Sequence, residues 1–363
     1  MLARPSKVHG VAVGALAALG GVLASSMLPA CTSGGSRPRD VAGDRRVRRA
    51  ERDASAEASA TDHVPEPPPS VVRPVTTSAR PRLFARASAR ALALDATRVY
   101  YGDSEDDGVY AKPKIGGDAV RLSRHAPVAG ALAVDGATIT WIASPGDAVL
   151  RIGLDGAGQP TTLRDRGIFS DVAVSGAEVF ITEAIGAGGA LLRVTGPSAA
   201  RIASFEGAPR AVLADATHAY VITPTRIFRT PHLKGDLDTI ATGTAFASPQ
   251  MDDGNVYVVA EIAGARVVAR VPKAGGAVTT LARDVRDAPI EVEGGEVLYF
   301  DATRPQIRAV PAGGGDSRVV VEDDALTEPS AIVTDPATVY VATGSRESGA
   351  IVAVDRRPSR AAP

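Results

Sequence analysis

The acidic run Asp103-Ser104-Glu105-Asp106-Asp107-Gly108 holds the side chains in this sequence that are best suited to bind a cation. Alternating carboxylates followed by glycine are typical of a calcium loop, which makes Asp103, Glu105 and Asp107 candidate ligands. An EF-hand would need a glutamate eleven residues after the first acid, and Lys114 stands there. The competing interpretation is a solvated hairpin tip. We therefore predict no cofactor and no metal, with calcium at these three residues as the alternative.

The histidines and hydroxyl residues give no complete catalytic motif. The five histidines are His9, His63, His125, His218 and His232, and no pair has the spacing of zinc ligands. We expect His218 and His232 to lie at the surface. Neither a Gly-x-Ser-x-Gly nucleophile motif nor a phosphate-binding loop is present. The sequence favours a protein without catalysis; convergence of His125, Asp165 and Asp323 around a metal in the channel would favour an enzyme.

A ten-residue phrase recurs along the chain, most clearly at 132–141 and 332–341. Each copy contains, in order, three residues of alternating character, an acid, a small turn residue, and two apolar residues on either side of an aromatic residue. The turn positions lie 37 to 42 residues apart, at Asp95, Asp135, Ser175, Asp215, Asp252, Glu293 and Asp335. The acid is interpreted as structural, because its carboxylate can accept the N–H two residues further on.

Each repeat contains four short apolar runs bounded by Gly, Pro or Asp, which is typical of strands. Gly-Gly and Pro inside the units disfavour helical repeats of similar length. The pattern predicts an all-β protein, a seven-bladed β-propeller of four-stranded antiparallel blades. The last repeat ends after 351–355 without a fourth run. We predict that the segment Arg82-Leu83-Phe84-Ala85 supplies the missing strand, so that an N-terminal strand closes the last blade.

The loops from the outer strand of one blade to the inner strand of the next ring the central channel of a propeller. Arginine and aromatic side chains at a concave surface suit anionic or sugar-like ligands and protein partners. These loops supply the candidate ligand- or partner-binding residues; the competing interpretation of each is an ordinary solvated loop residue. The candidates are Arg124, His125, Arg166, Phe169, Phe205, Arg210, Phe246, Arg283 and Arg286.

Composition limits the class of protein. The chain has 363 residues with a formal net charge of −1, so no overall basic field attracts nucleic acid. The single cysteine, Cys31, excludes an internal disulfide framework and a multi-cysteine metal site. We expect a monomer.

Residues 1–31 have the organisation of an export signal. Arg4 and Lys7 precede an apolar stretch, Val11 to Leu28, and the next charged residue is Arg37. The segment Leu28-Pro29-Ala30-Cys31, followed by Gly and Ser, resembles a bacterial lipoprotein signal, although Pro29 stands where that family usually has a small residue. The resemblance implies cleavage before Cys31 and a lipid on its thiol. Ordinary cleavage near residues 24–26 and an uncleaved anchor are the alternatives.

The expected domain organisation is a signal peptide at 1–31, a disordered tether at 32–80 and a propeller at 81–363. The tether contains Pro-Glu-Pro-Pro-Pro at 65–69 and a charged run at 37–53, a composition that cannot bury a core. Arginines of this run could contact anionic lipid, or could simply be solvated.

The repeats resemble those of YWTD propellers and related lipoprotein-receptor-type proteins. The resemblance rests on Val99-Tyr100-Tyr101-Gly102-Asp103 and on the later phrase from Gly264 to Gly276. It implies a rigid binding disc without fixed chemistry. That family usually has six blades, so the number seven comes from this sequence.

The expected protein is thus exported and held by a lipid at the cell membrane or outer membrane. It would bind a protein or glycan of the cell envelope as a non-catalytic module or scaffold. The alternative is a propeller-type lyase or hydrolase acting at the channel mouth.

Overall fold

The computed structural model describes residues 12–13, 80–124, 128–196, 198–233, 235–344 and 348–356. Cys31, His125 and nearly all of the expected signal peptide and tether lie outside these residues.

The described chain forms seven antiparallel sheets of four propeller strands each, in the order that the sequence predicts. Blades one and two contain β3 (Ala89–Leu94), β4 (Arg98–Asp103), β5 (Gly108–Pro113) and β6 (Val120–Ser123), then β7 (Val128–Val134), β8 (Thr138–Ala143), β9 (Ala148–Gly153) and β10 (Thr161–Asp165). Blades three and four contain β11 (Phe169–Ser175), β12 (Glu178–Ile185), β13 (Gly188–Thr195) and β14 (Ser198–Glu206), then β15 (Ala211–Ala214), β16 (His218–Ile222), β17 (Arg226–Pro231) and β18 (Asp238–Thr242).

Blades five and six contain β19 (Ala247–Met251), β20 (Asn255–Ile262), β21 (Ala265–Pro272) and β22 (Thr279–Arg283), then β23 (Glu291–Glu293), β24 (Glu296–Phe300), β25 (Gln306–Pro311) and β26 (Arg318–Glu322). A 3₁₀ turn at Asp324–Leu326 leads into β27 (Pro329–Thr334), β28 (Thr338–Thr343) and β29 (Ala350–Asp355) of blade seven. A two-residue strand, β1 (Ala12–Val13), pairs antiparallel with β7.

Blade seven is completed by the N-terminal strand β2 (Arg82–Arg86), which pairs with β29 in the sheet order β2-β29-β28-β27. Its Phe84 side chain is buried and meets the Tyr340 ring edge-on, with the ring centroids 5.0 Å apart. The predicted closing strand is therefore confirmed, and it removes an open edge from the last blade.

The seven inner strands contact one another in sequence, and β27 of blade seven contacts β3 of blade one, so the ring is closed. The described residues form seven hydrophobic clusters, and each cluster lies between two neighbouring blades. A blade can thus bury its apolar faces only against its neighbours, which is the physical reason for ring closure. Trp141, fully buried between blades one and two, is the largest side chain in this arrangement.

The turn after each inner strand carries the repeated acid. The Oδ1 atom of Asp95 accepts the N–H groups of Thr97 at 2.6 Å and Arg98 at 2.7 Å. Four more turns make the same pair of hydrogen bonds, through Asp135, Asp215, Asp252 and Asp335. The structural role predicted for the acid is confirmed at these five positions.

Three of these acids also accept a hydrogen bond from the tyrosine five residues further on, and the Asp95 Oδ2 to Tyr100 Oη distance is 2.6 Å. Burial alone would raise the pKa of Asp95, but hydrogen bonds from Tyr100, Thr97 and Arg98 outweigh it and hold that pKa below its ordinary value. Ser175 has no carboxylate, and its hydroxyl donates instead to the carbonyl of Asp215 at 2.7 Å.

Because neighbouring strands of a blade run in opposite directions, their connections lie on two distinct faces of the disc. The ring face carries the loops from each outer strand to the next inner strand, together with the turns between second and third strands. The turn face carries the acid turns and the connections between third and fourth strands. Among the described residues, no helix is long and apolar enough to cross a membrane.

Candidate functional site

The described candidate binding residues all lie on the ring face or at its edge, between or at the ends of outer and inner strands. Arg124 directly follows β6, and Arg166 lies between β10 and β11. Arg210 and Arg286 precede the inner strands of blades four and six. His125 lies in the same connection as Arg124 but outside the described residues.

The three phenylalanines of this set are buried, contrary to the expectation of an aromatic binding surface. Phe169 is 5% exposed, Phe205 8% and Phe246 2%. Phe169 packs between blades two and three, and Phe246 between blades four and five. A Cβ atom placed on Gly167 would lie 2.3 Å from Cζ of Phe169, so this glycine makes room for the ring. The rings fill blade interfaces and are not available to a ligand in this structure.

Four of the five arginines of the set are exposed, and Arg286 is half-buried. The side chains of Arg124, Arg210 and Arg283 are exposed and make no hydrogen bond or ion pair with the described part of the chain. The Arg166 side chain is 92% exposed, and its Nε atom lies 3.8 Å from Oδ2 of Asp165. Arg286 is partly held, because its NH1 group donates to the carbonyl of Thr327 at 2.7 Å. The loops therefore present guanidinium groups rather than aromatic rings.

A further arginine that the sequence reasoning did not select stands at the channel rim. Arg90 is exposed and directly precedes buried Ala91, just as Arg210 directly precedes buried Ala211. Both arginines lie five residues before the turn position of their repeats, and this alignment could have revealed the pair. The backbone of Arg210 is fixed, because its N–H donates to the Ile222 carbonyl at 2.8 Å. The backbone of Arg286 is held in the same way, by a hydrogen bond from its N–H to the Phe300 carbonyl at 2.9 Å.

The acidic run of blade one forms the turn between β4 and β5, and its carboxylates do not converge. Asp103 Oδ1 accepts the N–H groups of Ser88 at 3.2 Å and Glu105 at 3.1 Å, while Asp106 Oδ2 lies 3.5 Å from NH1 of Arg121. Asp107 has a positive φ of 56°, which suits a tight turn. Within the described ranges, no three His, Cys, Asp or Glu side chains are grouped so that they could hold a metal ion.

The two described histidines lie on the turn face, away from the candidate residues. His232 is only 13% exposed at its side chain, so the expectation of a surface residue does not hold for it. Its Nδ1 atom lies 3.0 Å from Oε2 of Glu178, and its ring contacts that of Phe180 with centroids 4.5 Å apart. Glu178 also pairs with Arg193. This group joins blades three and four.

Two buried acids on inner strands were missed by sequence reasoning. Asp171 accepts the N–H of Val212 in the next blade at 2.9 Å, and burial raises the pKa of its carboxyl group to about 7. Glu291 accepts a hydrogen bond from Gln250 Nε2 at 3.0 Å; burial, aided by Glu293 and opposed by Arg356, raises the pKa of Glu291. Asp171 stands where several repeats have alanine, and that exception was the available signal.

Comparison with known proteins gives the fold. No protein-family profile and no curated protein sequence matches this chain. Oligogalacturonate lyase from Vibrio parahaemolyticus has a similar structure, with a TM-score of 0.59 and 10% identity over 77% of this chain and 90% of the lyase.

Two further solved structures are similar at the same level. A prolyl endopeptidase matches with a TM-score of 0.53 and 13% identity, over 77% of this chain and 51% of the peptidase chain. The AfRom2 CNH domain matches with a TM-score of 0.54 and 7% identity, over 77% of this chain and all of that domain. At such low identities these likenesses concern architecture alone. The chain is a seven-bladed β-propeller whose distant structural neighbours include a lyase, a prolyl endopeptidase and a CNH domain by fold only.

Proposed function

We propose that this chain is a lipid-anchored propeller of the cell envelope that binds a protein or glycan partner through its ring face without catalysing a reaction. The observation that carries the proposal is the direction in which the N-terminal strand enters the disc. Arg82 pairs with Ala353 and Arg86 with Ala350, so β2 runs from the turn face to the ring face. The residues directly before β2 therefore join the disc on the turn face.

This direction separates anchoring from binding. The expected lipid-bearing Cys31 and its tether precede residue 80 in the sequence, and the exposed arginines lie on the ring face, opposite the end at which β2 begins. A disc held from its turn face leaves its ring face free to meet a partner. Backbone hydrogen bonds support a preformed surface; for example, the Phe169 N–H donates to the Gly146 carbonyl at 2.9 Å, which ties two ring-face loops together. A preformed surface lowers the entropic cost of binding.

The anchor is tested by fractionation of cells that express the full chain. Cys31→Ser should move the protein from the membrane fraction to the soluble fraction, because the thiol that carries the expected lipid is lost. Ser36→Ala, a neighbouring change that leaves the cysteine intact, should stay with the membranes. Retention of the Cys31→Ser chain in the membrane fraction would contradict lipid anchoring.

The binding surface is tested by affinity capture with the full chain in detergent. Simultaneous Arg124→Glu, Arg210→Glu and Arg283→Glu should abolish capture of a partner, since three exposed positive charges on the ring face are reversed. Arg201→Glu, on the outer strand β14, is the matched control and should leave capture unchanged. A partner captured equally by the triple variant would place the binding surface elsewhere.

The catalytic alternative has its own assay. Incubation with oligogalacturonate, followed by ultraviolet absorbance of unsaturated products, measures lyase chemistry of the kind named for one structural neighbour. We expect no product above a chain-free control. Product formation that depends on the chain would replace the non-catalytic proposal with the lyase alternative.

A further inference from the structure

We infer that the rim of the central channel on the ring face binds an anionic glycan chain, with Arg90 and Arg210 contacting acidic groups on two of its sugars. This inference rests on the proposed function and names the chemical class of the partner.

We define the rim position as the residue five positions before the turn residue of each repeat. At this position the chain enters its inner strand or lies next to it. Reading the seven repeats in order gives Arg90, Gly130, Ser170, Arg210, Ala247, Ala288 and Ser330. This set contains two arginines, five small residues and no acid. Small neighbours leave the guanidinium groups accessible, and both side chains are exposed without a hydrogen bond or ion pair in the described part of the chain.

The acids of the ring face are placed differently from these arginines. Those of the second-to-third-strand turns, such as Asp103 and Asp147, belong to strands further from the channel axis. Asp284, Asp324 and Glu328 have exposed side chains in ring-face loops without an arginine partner in the described part of the chain, but none of them stands at the rim position. Several other acids of the loops and strand ends on this face pair with an arginine. These pairs are Asp165 with Arg166, Glu206 with Arg226, Asp287 with Arg266, and Glu322 with Arg304. The rim position itself therefore carries positive charge without an acid at the equivalent place in any repeat.

The spacing of the two arginines favours a chain over a single small anion. Arg90 belongs to blade one and Arg210 to blade four, three steps apart in a closed ring of seven. They consequently lie on opposite sides of the rim. A ligand that contacts both needs at least two acidic groups separated along its length, as in a polymer of acidic sugars. The planar guanidinium group matches a carboxylate through paired hydrogen bonds.

The burial of the ring-face aromatics removes both apolar anchors for a protein and stacking surfaces for sugar rings, so recognition at the rim would rest on charge. Protein interfaces usually depend on aromatic or apolar anchors in their centre. Phe169, Phe205 and Phe246 are buried in the blade interfaces. The large exposed apolar side chains described on this face are Ile168, two residues before the rim position Ser170, and Ile185, at the end of β12. A charged, apolar-poor rim is better suited to the carboxylates of a polysaccharide.

Binding of alginate oligomers to the full chain in detergent tests this inference, with neutral dextran of similar length as the negative probe. We expect alginate to bind in low salt, dextran not to bind, and monomeric glucuronate to compete poorly at equal carboxylate concentration. The double change Arg90→Gln and Arg210→Gln should weaken alginate binding about three- to tenfold, the range expected for two exposed charge contacts. Arg201→Gln should bind as the unaltered chain does, and equal melting temperatures of the variants would exclude misfolding.

Several results would overturn the inference. These are no alginate binding by the unaltered chain, equal binding by the double variant, or competition by the monomer as strong as by the oligomer. Capture of a protein that the double variant retains, combined with no alginate binding, would remove the glycan assignment. In that case the proposed anchored binding module would still be supported by its own Cys31→Ser and triple-arginine tests.

Discussion

Lys273 of blade five places its Nζ atom 2.9 Å from Oδ2 of Asp215 in the acid turn of blade four. The same arrangement spans the ring closure, where Nζ of Lys114 in blade one lies 2.8 Å from Oδ2 of Asp335 in blade seven. Both lysines follow a proline at the end of a third strand. The repeated Pro-Lys sequence thus contributes a contact between blades as well as a turn within one blade.

A double-mutant cycle with Lys273→Met and Asp215→Asn should give a coupling free energy of about 1 kcal/mol at pH 7, typical of a favourable surface pair. Burial alone would raise the pKa of Asp215, but Lys273, the N–H groups of Thr217 and His218, and Tyr220 together lower it well below 3.8. A carboxyl group whose pKa is lowered by folding stabilises the fold at pH values above its unfolded-state pKa. This stabilisation is lost as the pH falls towards the folded-state pKa. Urea unfolding should therefore show the coupling declining below about pH 4. Coupling that is unchanged in acid would contradict this origin.

Asp171 should make stability depend on pH in the opposite sense. Its raised pKa, about 7 against an ordinary 3.8, means that the folded state keeps a proton that the unfolded chain has released. Stability from this group should fall as the pH rises from about 4 to about 7. Asp171→Asn keeps an acceptor for Val212 and removes the charge. Between pH 5 and pH 8 the melting temperature of this variant should fall less than that of the unaltered chain. The difference should be about 2–4 °C for each kcal/mol that burial of the charged Asp171 carboxylate costs.

Two features of this experiment make it specific. No charged neighbour contributes to the raised pKa of Asp171, which comes from burial opposed by the Val212 and Val172 N–H groups. Glu291 has a raised pKa of the same sign and remains in the variant, so part of the pH dependence should persist. Identical pH profiles for the two proteins would show that Asp171 has an ordinary pKa.

The closing strand should contribute strongly to stability through one side chain. Phe84 is 7% exposed and packs on Tyr340, whereas its neighbour Leu83 is 56% exposed. Phe84→Ala should lower the free energy of unfolding by about 3–5 kcal/mol, the usual cost of removing a buried phenylalanine. Leu83→Ala should cost less than about 1 kcal/mol. Chemical denaturation measures both, and similar losses would mean that β2 does not close the blade through Phe84.

The contact between blades one and two depends on a glycine. A Cβ atom on Gly102 would lie 2.2 Å from Cγ2 of Val128, whereas one on Gly136 would meet nothing within 4 Å. Gly102→Ala should destabilise the protein by about 1–3 kcal/mol through overpacking. Gly136→Ala should stay within about 0.5 kcal/mol of the unaltered protein, and Ala96 occupies the same place in blade one. Thermal unfolding compares the two changes, and a neutral Gly102→Ala would show that Val128 moves aside at little cost.

The sequence predicted the blade count, the acid turns and the closing strand, because each depends on short-range patterns that recur. Asp95 and Asp335 could be assigned to turns because an acid two residues before a free N–H forms a local hydrogen bond. Leu83 and Phe84 could be assigned to a closing strand because the last repeat lacked one. Such features require no knowledge of which distant residue lies nearby.

The tertiary structure decided which loop side chains are accessible. Phe169 and Phe246 stand next to irregularities at the starts of their inner strands, where the register shifts between Phe169 and Asp171 and between Ala247 and Gln250. One extra residue in a strand redirects the neighbouring side chains to the other face of the sheet. A local pattern cannot fix that choice. The sequence therefore determined the ring through its repeated strands and turns, while packing between blades determined that the phenylalanines are buried and that Arg90 and Arg210 are exposed.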